Sequence, residues 1–269
     1  MKCIILCAGF ATRLYPLTKN KPKPLLEVGN KTILDRIMDK IEKVRSIDEV
    51  YIVSNDVFST QFKNWNNKQN RSKRIHILND GVKNNEERLG TVGDLHFTMQ
   101  ETKINDDILI VGGDNLFEFD INAFIAYFKK KNASIIALYD LKDPAKLAKK
   151  FGVAIVDKNQ KIIDFQEKPE HPKSSLAATL CYILKKESLL KLPDFLKECI
   201  RRSFEVPEFT QNSKHVKHHK GDNAGSFIEW LIKSENVYGF TFTEAWFDIG
   251  SHEALAEANN IYNTYVISR

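Results

Sequence analysis

Cysteine is scarce in this chain: there are four in 269 residues, Cys3, Cys7, Cys181 and Cys199, at spacings that match no zinc-binding pattern. Cys3 and Cys7 fall in an apolar run and the loop after it, so buried free thiols in a reducing compartment are the expectation. Long hydrophobic runs are missing as well. No stretch approaches the roughly 20 apolar residues that a membrane-crossing helix needs. The N-terminus lacks the layout of a secretion signal, because a strand pattern begins at Lys2. These absences predict a cytoplasmic protein with no membrane attachment. Charge of one sign is also lacking. The 40 Lys and Arg against 35 Asp and Glu leave a net +5, and the basic residues are scattered among acids. That balance disfavours nucleic acid as a partner and suits small anionic substrates. No internal repeat and no low-complexity linker interrupts the chain, which reads as one domain.

What is present is the composition of an ordinary globular protein, 42% hydrophobic and 28% charged, long enough to bury one large core. Cys3 to Leu6 reads as a buried strand. Ile33, Leu34, Ile37, Ile41 and Val44 trace one face of a helix, and Val50 to Val53 follows as a strand. Phe58, Phe62 and Trp65 at helical spacing precede a strand from Arg74 to Leu78. Asp107 to Val111 is a further strand, then a helix carries Ile121, Phe124, Ile125 and Phe128, and Ser134 to Tyr139 is the next strand. This alternation predicts a mainly parallel sheet with helices on both faces. After Phe151 the runs shorten: Val153 to Val156, Ile162 to Gln166 and Ala178 to Leu184. They read as antiparallel strands folding over the parallel sheet. A helix through Phe227, Ile228 and Leu231, a strand from Val237 to Phe242 and a helix from His252 complete the pattern. The polar stretch from about Ser203 to Gly225, with His215, His218 and His219 among lysines, reads as a solvated mobile loop. Trp230 suits either the core or a subunit contact.

The chemistry begins at the first strand. Its sequel, Cys7-Ala-Gly-Phe-Ala-Thr12, is rich in small residues, so backbone N–H groups can approach an anion closely. Arg13 and Lys23 add two cations. Backbone donors and cations just past the first strand of an α/β fold make a polyphosphate site. Leu6, Ala8, Gly9, Thr12, Arg13, Leu14, Pro16, Leu17 and Thr18, followed by Lys23-Pro24-Leu25-Leu26, resemble the opening of the sugar-1-phosphate nucleotidyltransferases. That family, the nucleotide-sugar pyrophosphorylases, opens with L-x-A-G-x-G-T-R-L-x-P-L-T and then a lysine. Its second glycine is Ala11 here, which adds a methyl group and restricts φ.

The resemblance runs through nearly the whole chain. It implies an α/β, Rossmann-like, mainly parallel mixed sheet flanked by helices, with a smaller antiparallel sugar-binding part. About 1–150 would hold the nucleotide, about 151–245 the sugar phosphate, and 246–269 the second metal Asp and a C-terminal helix. By resemblance, Arg13 grips the leaving pyrophosphate and Lys23 the phosphate undergoing substitution, with Leu6, Ala8, Gly9, Ala11 and Thr12 also on the nucleotide. Leu89-Gly90-Thr91-Val92-Gly93 is similar to the family's L-G-T-A-G, a turn that packs on the base and opens a helix; Gly90 and Thr91 take that role, and Asp94 stands where a small residue is usual. Asp114, in Gly112-Gly-Asp-Asn115, and Asp248, in Trp246-Phe-Asp-Ile-Gly-Ser251, match the family's two carboxylates for Mg²⁺. Glu167 and Lys168, in Glu167-Lys-Pro169, match the pair that holds the sugar hydroxyls and the sugar phosphate. Gly152 matches a glycine that meets the sugar. Thr179 and Tyr182 align with N/V-T-G-x-Y, where Leu180 replaces the glycine and would crowd that wall.

The implied reaction joins an NTP and a sugar 1-phosphate into an NDP-sugar with release of pyrophosphate, leaning toward dTTP or UTP with a hexose 1-phosphate. Relatives often assemble into dimers or tetramers, which extends to a homo-oligomer here. Two rival expectations stand beside it. One is a CTP-dependent cytidylyltransferase acting on phosphocholine or another small phosphate, which aromatic residues caging a quaternary ammonium would favour. The other is a non-catalytic nucleotide-sugar-binding regulatory subunit, which predicts loss of the two cations or of the Asp pair. The family's longer members append a β-helix of hexapeptide repeats, and none is present here.

Overall fold

The computed structural model describes residues 1–204 and 223–267. His215, His218 and His219 lie outside the described residues. Strand β1 (Lys2–Leu6) leads through a loop to the short hairpin β2 (Glu27–Val28) and β3 (Lys31–Thr32), then to helix α1 (Ile33–Glu42). Thr32 caps α1, its hydroxyl accepting from Asp35 N at 3.0 Å, and Ile33, Leu34, Ile37, Met38 and Ile41 bury one face. The chain continues through β4 (Glu49–Ser54), α2 (Ser59–Asn66), β5 (Arg74–Asn79), α3 (Gly90–Thr102), β6 (Ile108–Gly112), β7 (Asn115–Phe117), α4 (Ile121–Lys131) and β8 (Ser134–Asp140). Next come β9 (Gly152–Val156), β10 (Ile162–Glu167), β11 (Leu176–Leu184), α5 (Lys186–Leu189), α6 (Leu192–Phe204), α7 (Ala224–Leu231), β12 (Val237–Phe242), β13 (Trp246–Asp248) and α8 (His252–Ile267).

Among the described residues, nine strands form one mixed sheet, whose main path is β10-β9-β11-β6-β1-β4-β5, with β8 on β11 and β12 on β8. β6, β1, β4 and β5 run parallel, as β8 and β12 do, while β11 enters antiparallel. The strands after Phe151 differ from expectation in one respect: they continue the same sheet, with β11 pairing β6 and β9, instead of folding over it. β1 shows why its run is apolar without a break. Cys3 and Ile5 pack with α1, α2 and α4 on one face, and Ile4 packs with α3, α6 and α7 on the other. A strand covered on both faces has no solvent-facing position for a polar side chain. All four cysteines are buried.

The stretch expected as a loop from Ser203 to Gly225 is helical at both ends. α6 runs to Phe204, and Asn223 caps α7, its side chain accepting from Ser226 N at 2.8 Å. Trp230 proves a packing residue: it meets Phe195 and Phe227, and its indole N–H donates to Glu198 Oε2 at 2.7 Å. Helix α8 is clasped to the N-terminal half. Asn259 Oδ1 accepts from Gly29 N at 2.8 Å, and the Arg36 guanidinium stacks 4.1 Å from the centre of the Tyr262 ring.

Candidate active site

Strand order creates the site. β4 and β5 lie to one side of β1 and β6 to the other, so the loops leaving the C-terminal ends of β1 and β6 flank a crevice. The two loops touch at once, where Gly113 N donates to Leu6 O at 2.9 Å. After β1, Ala11 adopts φ 50°, ψ 41°, the left-handed conformation that a glycine takes at no steric cost. The chain thus keeps the glycine-like bend at a cost on the order of 1 kcal/mol. Thr18 Oγ1 donates to Ala11 O at 2.8 Å and Leu14 N to the same oxygen at 3.0 Å, closing a turn that presents Arg13. A second turn over Lys23–Leu25 buries Pro24 and Leu25, and directs Lys23 Nζ onto Asp114 Oδ2 at 2.6 Å.

Asp248 arrives through two three-residue strands. Antiparallel pairing of β13 with β7 sets Asp248 opposite Asn115, and Ile249 N donates to Asp114 O at 3.1 Å. Trp246 Nε1 donates to the buried Asn115 Oδ1 at 2.9 Å, locking the ribbon. A Cβ on Gly250 would lie 3.4 Å from Asp248 Oδ2 and 3.5 Å from Arg13 Nη2, so carboxylate and guanidinium share one small region. Burial pushes the Asp248 carboxyl up to about 6; Asp114 adds repulsion, while Lys23, Arg13 and Lys168 oppose it.

A carboxyl whose folded pKa exceeds its unfolded value favours the fold in its protonated form. From the ordinary 3.8 to about 6, Asp248 therefore takes stability away as pH rises. In the metal-free protein, Asp248→Asn is expected to be more stable than wild type by an amount that grows over that window, reaching on the order of 2–3 kcal/mol near neutrality. Melting curves of both proteins across pH check this. Asp80, also raised to about 6 by burial and hydrogen-bonded to Asp94, titrates in both proteins and cancels in the difference.

On the other side of the crevice, the β9–β10 ladder sets Gly152 opposite Glu167. Lys168 follows with φ 45° and an exposed ammonium. Burial raises the Glu167 pKa, with Lys168 opposing and Glu229 reinforcing the rise. Thr179 is buried and donates to Ala137 O at 3.1 Å. Leu180 takes φ 51° within an irregularity of β11 between Ala178 and Tyr182, again a glycine-like conformation carried by a larger residue. Gly90 opens α3 with φ 77°.

A cleft of about 210 Å³ joins these parts. Arg13, Thr91, Asp114 and Asp248 line it together with Gly152, Glu167, Lys168 and Thr179. Lys23 reaches it through Asp114. Leu6, Ala8, Gly9, Ala11, Thr12 and Gly90, at the end of β1, in the loop after it and at the start of α3, do not line it. The wall also contains Lys150 and the start of α7 with its cap, Asn223–Gly225, which sequence reasoning missed; the Asn-x-x-Ser helix-cap spacing was the available signal for the helix start. A larger cavity of about 590 Å³, between α1 and α8, contains none of the candidate residues.

The donor set fits a divalent cation. Among the described residues no group of three or more His, Cys, Asp or Glu gathers as a metal cage. Asp114 and Asp248 instead present two hard oxygen ligands whose mutual repulsion a dication would relieve, leaving the other positions to substrate and water. Among the same residues, no helix is long and apolar enough to cross a membrane.

A switch-point crevice with cations on the first loop, facing carboxylates and a second basic wall is chemically suited to a phosphorylated ligand on an α/β fold. The profile of the Nucleotidyl transferase family matches residues 2–264. The chain belongs to that family, within its sugar-1-phosphate nucleotidyltransferases. The bifunctional protein GlmU of Methanocaldococcus jannaschii is 31% identical over 262 residues, covering 96% of this chain and 53% of that protein. The chain thus spans about half the length of the curated relatives it matches. A Bacillus anthracis structure assigned as a glucose-1-phosphate thymidylyltransferase, in complex with sucrose, superposes with a TM-score of 0.74 at 25% identity, over 98% of this chain and 95% of that one. A UDP-glucose pyrophosphorylase complexed with UDP-glucose shares the fold, with a TM-score of 0.76 at 19% identity and 98% of each chain covered.

Proposed function

We propose that this protein joins an NTP to a sugar 1-phosphate, with dTTP or UTP and a hexose 1-phosphate as substrates, releasing pyrophosphate. One observation carries the reading: Arg13, Asp114, Asp248, Glu167 and Lys168 line one cleft, with Lys23 bonded to Asp114 at its edge. An oxygen of the sugar phosphate forms a bond to the α-phosphorus as the bond to the bridging oxygen of the β-phosphate breaks, and that oxygen leaves with pyrophosphate. Both reactants are anions, so positioning and charge neutralisation carry the rate. In this reading Arg13 and Lys23 neutralise the triphosphate, Lys168 holds the incoming phosphate and Glu167 accepts from the sugar hydroxyls. Asp114 and Asp248 would hold Mg²⁺, which when bound supplies charge neutralisation on the phosphate oxygens.

Phe151, Phe165, Tyr182 and Trp246 line the same cleft beside Glu167, which keeps CTP with phosphocholine as a second reading. The regulatory reading predicts loss of the cations or the acids, whereas all four groups are present and grouped. Pyrophosphate release from dTTP, UTP, CTP, GTP and ATP, each against a panel of sugar 1-phosphates and phosphocholine, separates the three. A signal with a sugar phosphate supports the proposal, one with phosphocholine alone supports the second reading, and silence with folded protein and Mg²⁺ supports the third. With the active pair, Lys168→Ala is expected to raise KM for the acceptor about tenfold or more and to leave KM for the NTP nearly unchanged. A defect confined to the NTP would contradict the role given to Lys168.

A further inference from the structure

The carboxyl of Glu167 stands in a slot between two glycines. Gly152 forms one wall, where an added Cβ would sit 3.2 Å from Glu167 Oε2. Gly225, the second residue of α7, forms the other. A Cβ there would sit 1.9 Å from the same oxygen, 3.0 Å from the carboxyl carbon and 2.9 Å from the Phe165 ring. Real Cβ atoms essentially never come within 3.0 Å of another heavy atom in this way, so a side chain at 225 and the carboxyl in its present place exclude each other.

Backbone conformation does not require this glycine, since its φ is outside the left-handed range. Within a helix glycine is less favourable than alanine, so a glycine here asks for a reason. Alanine at 225 is opposed chiefly by the Glu167 carboxyl, by far the tighter approach, and to a smaller degree by the Phe165 ring. The helix cannot retreat easily: Asn223 caps it, and Phe227 and Ile228 bury it in the core. The carboxyl, at the end of a flexible side chain, is the group that would move.

We infer that Gly225 is a positioning residue that reserves the volume from which Glu167 reads the acceptor. The acceptor's identity rests on the proposed reaction; the competition for volume does not. With a side chain at 225 the carboxyl oxygen must shift by about 1.1 Å, from 1.9 to at least 3.0 Å. A misplacement of about 1 Å in a polar contact can cost up to about a hundredfold in rate.

The test uses Gly225→Ala in three backgrounds: wild type, Glu167→Asp and Glu167→Gln. Aspartate withdraws the carboxyl by one methylene and makes room; glutamine keeps the colliding atom in place. Gly225→Ala alone is expected to raise KM for the acceptor about tenfold or more, with KM for the NTP within about twofold of wild type. Combined with Glu167→Asp it should add little to the effect of Glu167→Asp, and combined with Glu167→Gln it should bring no relief. Melting temperatures of the ligand-free proteins give a second reading of the same competition: the loss caused by Gly225→Ala should shrink in the aspartate background, to the smaller part set by the Phe165 ring, and persist in full in the glutamine one. An equal loss in all three backgrounds, or no effect of Gly225→Ala anywhere, overturns the inference. If wild type releases no pyrophosphate with any acceptor, the proposed reaction fails, and the melting temperatures still decide whether residue 225 and the carboxyl compete.

Discussion

Asp248→Asn is expected to lower kcat by about a thousandfold in the pyrophosphate-release assay, while melting at neutral pH shows a folded and more stable protein. The two effects have one cause. Asp248 is half-buried beside Asp114, and its ionised form is disfavoured enough to raise its pKa to about 6. Removing the charge relieves that penalty, and it also removes one of the two oxygen ligands offered to a dication. Loss of a single preorganised electrostatic contact typically costs about 10²–10³ in kcat, and a metal ligand stands at the upper end of that range. Opposite signs for stability and activity identify a group retained for its chemistry. A variant with near-normal turnover at saturating Mg²⁺ would take Asp248 out of the site.

Lys23→Ala is expected to cost about 10²–10³ in kcat as well, with a distinctive pH signature. Lys23 Nζ lies 2.6 Å from Asp114 Oδ2 and helps hold the Asp248 pKa down. Without the ammonium, Asp248 keeps its proton to higher pH, so the acid limb of the kcat–pH profile moves upward. Lys23→Arg keeps the charge in a different shape and should return the acid limb toward the wild-type position with only part of the rate. A rate loss with no movement of that limb would mean that Lys23 acts on the nucleotide alone.

The strands and helices were legible where burial is periodic or two-sided. β1 and β6 are continuous apolar runs because both sheet faces are covered, and α1 shows its buried stripe at intervals of three and four. The elements that assemble the site were less legible. β7 and β13 have three residues each, too few for a pattern, yet their pairing sets Asp248 beside Asp114. Arg13 and Lys23 are legible as phosphate cations from their place after the first strand, whereas their partnership with Asp114 and Asp248 rests on resemblance to a family's motifs, since spacing along the chain says nothing about which distant loops meet. α6 went unread although Leu192, Phe195 and Cys199 bury one side of it. Gly225 closes the polar stretch that begins near Ser203, and the reason for a glycine there lies in Glu167, far away in sequence. Ala11 and Leu180 looked like departures from the family pattern, and both hold the left-handed bend that glycine would take.

The most direct measurement is a crystal structure with Mn²⁺ and a non-hydrolysable analogue of the active NTP, with the metal located by its anomalous scattering. The account predicts one metal peak coordinated by both Asp114 and Asp248, with Arg13 and Lys23 on the triphosphate. A triphosphate bound elsewhere, or a metal peak that touches neither carboxylate, would contradict it.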